Sequence, residues 1–166
     1  QLKDLSEIMA GSGFKAFASV AQGGGMVKAI NLKGGAKFSR KDLDDLRDLS
    51  MTKDYGAKGL AWITYKNQDD WDTLAWADKV SSPIAKFFSD DEMNQIQKAC
   101  DAKPGDVVFF VADKPKVVHH VLGKLRLHLA AKEGLMDPKA VKLVWVVDFP
   151  MFEYDDKSKR YKANHH

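Results

Sequence analysis

The sequence predicts an α+β domain, two-layered, with a mostly antiparallel sheet and helices on one face. Three observations predict it. The elements run strands, helix, strand, helices, strand, helix, strands along the chain. The run DVVFFVAD (Asp106 to Asp113) is apolar enough for a strand buried at the centre of a sheet. A length of 166 residues, 45% of them hydrophobic, suffices to bury one sizeable core.

The elements follow from local chemistry. LKDLSEIMA (Leu2 to Ala10) sets Leu2, Leu5, Ile8 and Met9 at helical spacing, and GSG breaks the pattern. FKAFASV (Phe14 to Val20) alternates and reads as a strand. With the turn QGGG and the strand MVKAINL (Met26 to Leu32) it forms an expected hairpin. Ser39 with Asp42 three residues on caps a helix over about Arg40 to Tyr55, with Phe38 stapled to Leu43 and Gly56 as its stop. GLAWITYK (Gly59 to Lys66) is a strand of strong β-formers, and the aromatic-rich NQDDWDTLAWADKV after it is expected to loop out. Ser82-Pro83 opens one short helix. Ser89 with Glu92 is a capping box that opens another, with Met93, Ile96 and Cys100 inward. Lys114 to Ala131 carries Val118, Val121, Leu122, Leu125 and Leu129 on one face, and Gly134 ends it. Leu143 to Asp148 reads as a buried strand, followed by a hairpin across DDKSK. That strand needs a sheet of its own, so we expect one domain over residues 1–140 and a separate unit over 141–166.

Composition bounds the function only loosely. Twenty-six basic against 23 acidic residues give a net charge of +3, which neither demands nor excludes a polyanion, because clustering rather than total charge decides affinity. The single Cys100 excludes an internal disulfide and suits a reducing cytosol. No apolar run approaches the ~20 residues of a membrane span. The N-terminus has no signal-peptide pattern and no initiator Met, so the chain is expected to begin inside a longer protein.

Most candidate chemistry has a plainer reading. QGGG and KGGA lack the Lys-Ser/Thr pair of a phosphate loop and the spacing of a dinucleotide fingerprint, and read as turn glycines. His119 and His120 diverge around a helix axis and do not converge on one metal, and with His128 they read as a solvated helix face. Cys100 has no obvious nucleophile partner. Two basic groups are candidates for phosphate contact: Lys114, Lys116, Lys124, Arg126 and Lys132 on the helix after the central strand, and Lys28, Lys33, Lys37, Arg40 and Lys41 around the second strand and first helix. The alternative is a charge-rich surface that only solvates the domain. Trp62 reads as core. Trp71 and Trp76 offer either base stacking or a local loop cluster. The terminal His165-His166 has three competing origins: a tag stump, a metal-binding tail, or one half of a site cut through its middle.

The stretches VKAINLKGGAKFSRKDLDDL, YGAKGLAWI, SSPIAKFFS, GDVVFFVADKPKVV, LGKLRLHLA and LVWVVDFPMFEYDDKSKRYKANHH occur in this order between about Leu2 and His166. Together they resemble the bacterial-type aspartyl-tRNA synthetases. The resemblance implies that the first ~140 residues are the GAD insertion domain, DCoH-like in fold and shared with a tRNA-dependent amidotransferase subunit. The segment from Lys142 resembles the return of the chain into a class II catalytic domain, which the amidotransferase subunit is not expected to carry. The parent would attach L-aspartate to tRNA-Asp using ATP and Mg²⁺, as a cytoplasmic homodimer. The insertion domain would be accessory, near the tRNA acceptor end, with the remainder of the synthetase as its other partner. The second and third catalytic motifs and the anticodon-binding domain are absent here, so this chain alone is expected to be inactive and to need no cofactor of its own. A scaffold module that touches no tRNA is the alternative. By resemblance His165 and His166 are native and help recognise aspartate, an imidazolium favouring the side-chain carboxylate over an uncharged amide.

Overall fold

Strand β5 (Val107–Asp113) has both faces out of solvent: Val107, Val108, Phe109 and Phe110 are all 0% exposed. The computed structural model that shows this describes residues 1–155 and 157–164. The chain divides into two compact units, Gln1–Leu135 and Met136–His166.

In the first unit β5 pairs antiparallel with β2 (Met26–Leu32) on one side and β3 (Ala61–Tyr65) on the other. The short β1 (Leu2–Asp4) and β4 (Val80–Ser81) complete a five-stranded sheet of order β1-β2-β5-β3-β4, antiparallel throughout. Residue parity sorts the side chains into two cores. Val27, Ala29, Ile63, Tyr65, Val108 and Phe110 face one core with α1 (Ser6–Ala10), α2 (Lys15–Gln22) and α5 (Asp90–Cys100). Ile30, Leu32, Trp62, Val107, Phe109 and Val111 face the other with α3 (Arg40–Met51) and α6 (Pro115–Lys132). The α+β class with an antiparallel sheet is as expected, but helices cover both faces, not one. A central strand as apolar as β5 requires cover on both sides.

Both capping boxes form as read. Ser39 Oγ accepts from the Asp42 amide and Ser89 Oγ from the Glu92 amide, and each acidic side chain returns the bond to the cap amide. Met93, Ile96 and Cys100 are buried, and burial pushes the Cys100 thiol up to about 12, so it is inert. The helix at α6 and the strands at β2, β3 and β5 lie where the pattern places them.

Four local expectations need correction. Phe14 to Val20 is not a strand; residues 15–22 form α2, so the partner of β2 is β1 rather than a hairpin neighbour. Short apolar runs are ambiguous in period, and the three alanines within residues 15–22 tip this one to helix. Phe14 then packs edge-on against Phe17 and stacks on Phe87. Leu2 to Asp4 belongs to an edge strand rather than to the first helix. The expected loop after β3 folds back as the 3-10 turn Trp71–Thr73 and α4 (Trp76–Lys79). Trp71 and Trp76 meet at 6.2 Å against Tyr65 and share Lys79 over their rings. Finally, residues 143–148 form no strand, and Leu143 to Val147 are between 71% and 96% exposed. The second unit otherwise holds the hairpin of β6 (Phe152–Asp155) and β7 (Arg160–Ala163), with Tyr154 against Tyr161. One hairpin is too small to bury a further strand.

Asp106, only 4% exposed, ties the end of β2 to the start of β5. Its carboxylate accepts from the amides of Gly34 and Lys103 and from Asn31 Nδ2, each at 3.0 Å, and lies 3.3 Å from Lys33 Nζ. Asp106→Ala removes the acceptor of the part-buried Gly34 and Lys103 amides and leaves Asn31 and Lys33 only their contacts to residues 100 and 101. It is expected to lower stability by about 3 kcal/mol, read as a drop in urea midpoint at unchanged m-value; an unmoved midpoint refutes the assignment. Ser89→Ala, which removes only a cap, should cost about 1 kcal/mol.

Candidate nucleic-acid interface

The turn held by Asp106 forms one wall of a groove. Gly34, at φ +67°, starts the 3-10 turn Gly35–Lys37, a conformation that favours glycine. Gly35 sits so close to the sheet that a Cβ would meet Val107 Cγ1 at 2.4 Å. The Ala36 amide donates to the Gly105 carbonyl at 2.9 Å. Beyond the turn, Phe38 and the Ser39 cap lead into α3, so Lys37 and Arg40 stand on the rim. The floor comes from β3 and β4, through Trp62, Thr64 and Ser81. Lys66 and Asn67 follow β3 on the far side.

This groove encloses about 640 Å³. Its lining holds three cations, Lys37, Arg40 and Lys66, and no carboxylate among the described residues. The Arg40 guanidinium lies over the Trp62 ring at 5.1 Å, while its side chain stays 67% exposed. Lys37 is paired at 2.5 Å with Glu133, and Arg40 at 3.0 Å with Asp44, both carboxylates outside the lining.

Several basic residues outside the groove are locally compensated. Lys33 contacts Asp101 and Asp106. Lys124 pairs with Asp54 at 2.5 Å and lies over Tyr55. Lys132 pairs with Asp42 at 3.1 Å and lies over Phe38. Exposed pairs of this kind are worth ~0–1 kcal/mol each, so they orient the cations without committing them. His119 and His120 point apart, His119 to Lys28 Nζ and His120 to the Asp54 carbonyl, each at 3.0 Å. No group of three His, Cys, Asp or Glu able to hold a metal occurs among the described residues. No helix among them is long and apolar enough to cross a membrane.

Comparison with known proteins identifies the fold that carries this groove. Residues 17–122 match the GAD domain model. The chain belongs to the GAD domain family. Over all 166 residues it is 50% identical to the aspartate–tRNA(Asp/Asn) ligase of Desulfatibacillum aliphaticivorans and 48% identical to that of Geotalea uraniireducens (strain Rf4). It is 44% identical to the aspartate–tRNA ligase of Ruminiclostridium cellulolyticum (strain ATCC 35319 / DSM 5812 / JCM 6584 / H10). The chain spans about a quarter of the length of these relatives, 26% in each case.

The GAD domain does not bring the sequence-predicted contacts together. Lys33 and Lys37 lie beyond the Leu32 end of β2, and Lys114 and Lys116 beyond the Asp113 end of β5. The paired strands run antiparallel for seven residues, so the two sets stand about 20 Å apart. Lys124 and Arg126 lie midway along α6. Of the sequence-predicted candidates, Lys37 and Arg40 line the groove. His165 and His166 lie outside the described residues. Sequence reasoning missed the convergence of Arg40, Trp62 and Lys66, because it joins three separated segments with no shared motif.

The helix that carries Arg40 is pH-sensitive at its start. A hydrogen bond from the Ser39 hydroxyl, then one from Lys132, lower the Asp42 carboxyl from 3.8 to about 2. A folded value below the unfolded one contributes stability above the unfolded value, lost as pH falls through the folded one. Urea midpoints should therefore hold steady from about pH 7 to 5 and fall between about pH 4 and 2. Lys132→Ala should flatten that fall; an identical acid limb in the variant contradicts the pairing.

Proposed function

We propose that this chain is the GAD insertion domain of an aspartate–tRNA ligase, followed by the first return strands of its class II catalytic domain. The carrying observation is the extent of the likeness. Identity of 50% runs across all 166 residues, past the 17–122 of the GAD match and through the second unit. The exposed run Leu143 to Val147 fits a strand whose sheet partners belong to the remainder of the synthetase. In this reading residues 1–140 are the insertion and 141–166 the return.

The whole enzyme attaches L-aspartate to tRNA-Asp, draws on ATP and Mg²⁺, and works in the cytoplasm as a homodimer. ATP and Mg²⁺ engage residues outside this chain. The domain's own role is accessory: it lies near the acceptor end of the tRNA and shapes its approach to the active site. Its basic side chains supply sequence-independent phosphate contacts, with Lys33, Lys37, Lys114, Lys116, Lys124 and Arg126 as the candidates. His165 and His166 belong to a loop that recognises aspartate.

Three experiments test this. Deleting the domain from the full-length ligase should remove part of the acceptor-stem protection in footprinting; identical footprints refute the accessory role. In the same full-length enzyme His165→Ala should raise KM for aspartate about 10- to 100-fold, the loss of one charge-assisted hydrogen bond. An unchanged KM removes His165 from the site. The 166-residue chain alone should show no aspartate-dependent ATP–pyrophosphate exchange.

A further inference from the structure

We infer that the groove between the Gly35–Lys37 turn, the start of α3 and the β3–β4 edge binds an unpaired RNA segment, with one base stacked on the outer face of Arg40. This deepens the accessory tRNA reading and rests on it only for which RNA is bound. The Arg40 guanidinium carbon lies 5.1 Å from the Trp62 ring centroid, and the side chain is 67% exposed. A guanidinium plane fixed from below presents a flat cationic surface, and unstacked bases stack on such planes. Trp62 itself is 3% exposed, so it supports Arg40 and does not meet the base.

The remaining lining supplies the other half of a nucleotide. Lys37 and Lys66 flank Arg40 as cations for the phosphodiester. Thr64, Ser81 and Asn67 offer hydroxyl and amide groups to base edges and to a ribose 2′-hydroxyl. No carboxylate belongs to the lining; the nearest named ones, Glu133 and Asp44, pair with Lys37 and Arg40 from outside it. A volume of about 640 Å³ lies within the usual range of small-ligand clefts and is enough for a nucleotide. Lys37 and Arg40 are held in place by Glu133 and Asp44 from outside the groove, so binding does not begin from a disordered pair of side chains.

The test uses the 166-residue chain and a fluorescein-labelled single-stranded RNA hexamer, followed by anisotropy, with a six-base-pair RNA duplex and AMP as competitors. Each variant is first checked for an unchanged urea midpoint; Arg40 is exposed at the first helical position, so folding should survive. Arg40→Ala and Arg40→Lys should both weaken the hexamer at least fivefold, because lysine keeps the charge and loses the plane. Lys66→Ala should reduce the slope of log K against log salt by about 0.7. Lys41→Ala, paired to Asp45 on the same helix and outside the lining, should change nothing. Equal competition by the duplex or by AMP overturns the assignment to unpaired RNA. Binding of a tRNA-Asp transcript that ignores Arg40 overturns the groove and leaves the accessory reading standing. If Arg40-dependent hexamer binding coexists with a parent footprint indifferent to the domain, the groove stands and the accessory reading falls. No binding of hexamer or transcript overturns the groove.

Discussion

The acceptor at Asp106 is the constraint on which the first unit most depends. A carboxylate at the mouth of the most buried strand is costly unless its lone pairs are used. Here it gathers the amides of Gly34 and Lys103, the amide group of Asn31 and the Lys33 ammonium. Those contacts join the end of β2, the turn after it and the loop that enters β5. With that corner fixed, the glycine turn can press against Val107, and the first residues of α3 are launched over Trp62. The groove therefore inherits its shape from a polar knot beneath it, not from the side chains that line it.

Placing β5 between two helical layers has an electrostatic consequence. With both faces of the sheet consumed by α1, α2 and α5 on one side and α3 and α6 on the other, the charged residues are left to the helix backs and the sheet ends. There they pair along and between helices, as Lys124 does with Asp54 and Lys132 with Asp42. A modest net charge is thus spread in part as local pairs, and in the groove two of the three cations, Lys37 and Arg40, are held by carboxylates that lie outside its lining. Weak exposed pairs hold long side chains in place while leaving them able to exchange a carboxylate for a phosphate.

The second unit obeys different physics. Its hairpin closes through Asp155, which accepts from Ser158 and pairs with Lys162, but it offers no apolar face large enough to cover Leu143 to Val147. An apolar run without cover marks a segment meant for a surface other than its own hairpin.

Much was legible in the sequence alone, wherever one residue or one short period carries the information. Both capping boxes, the five apolar positions of α6, the central place of β5 and the buried Cys100 follow from spacing and side-chain chemistry. Family membership followed from several stretches in fixed order. The tertiary structure decided what depends on competition between distant segments. Phe14 to Val20 alternates well enough for a strand, yet Leu2 to Asp4 takes the edge beside β2 and leaves it to be a helix. The same holds for the groove: Lys37, Arg40, Trp62 and Lys66 share no period and no motif, and only the register of β3 with β5 and the corner at Asp106 bring them to one place. Local pattern encodes which face of an element is buried; it does not encode which other element will cover it.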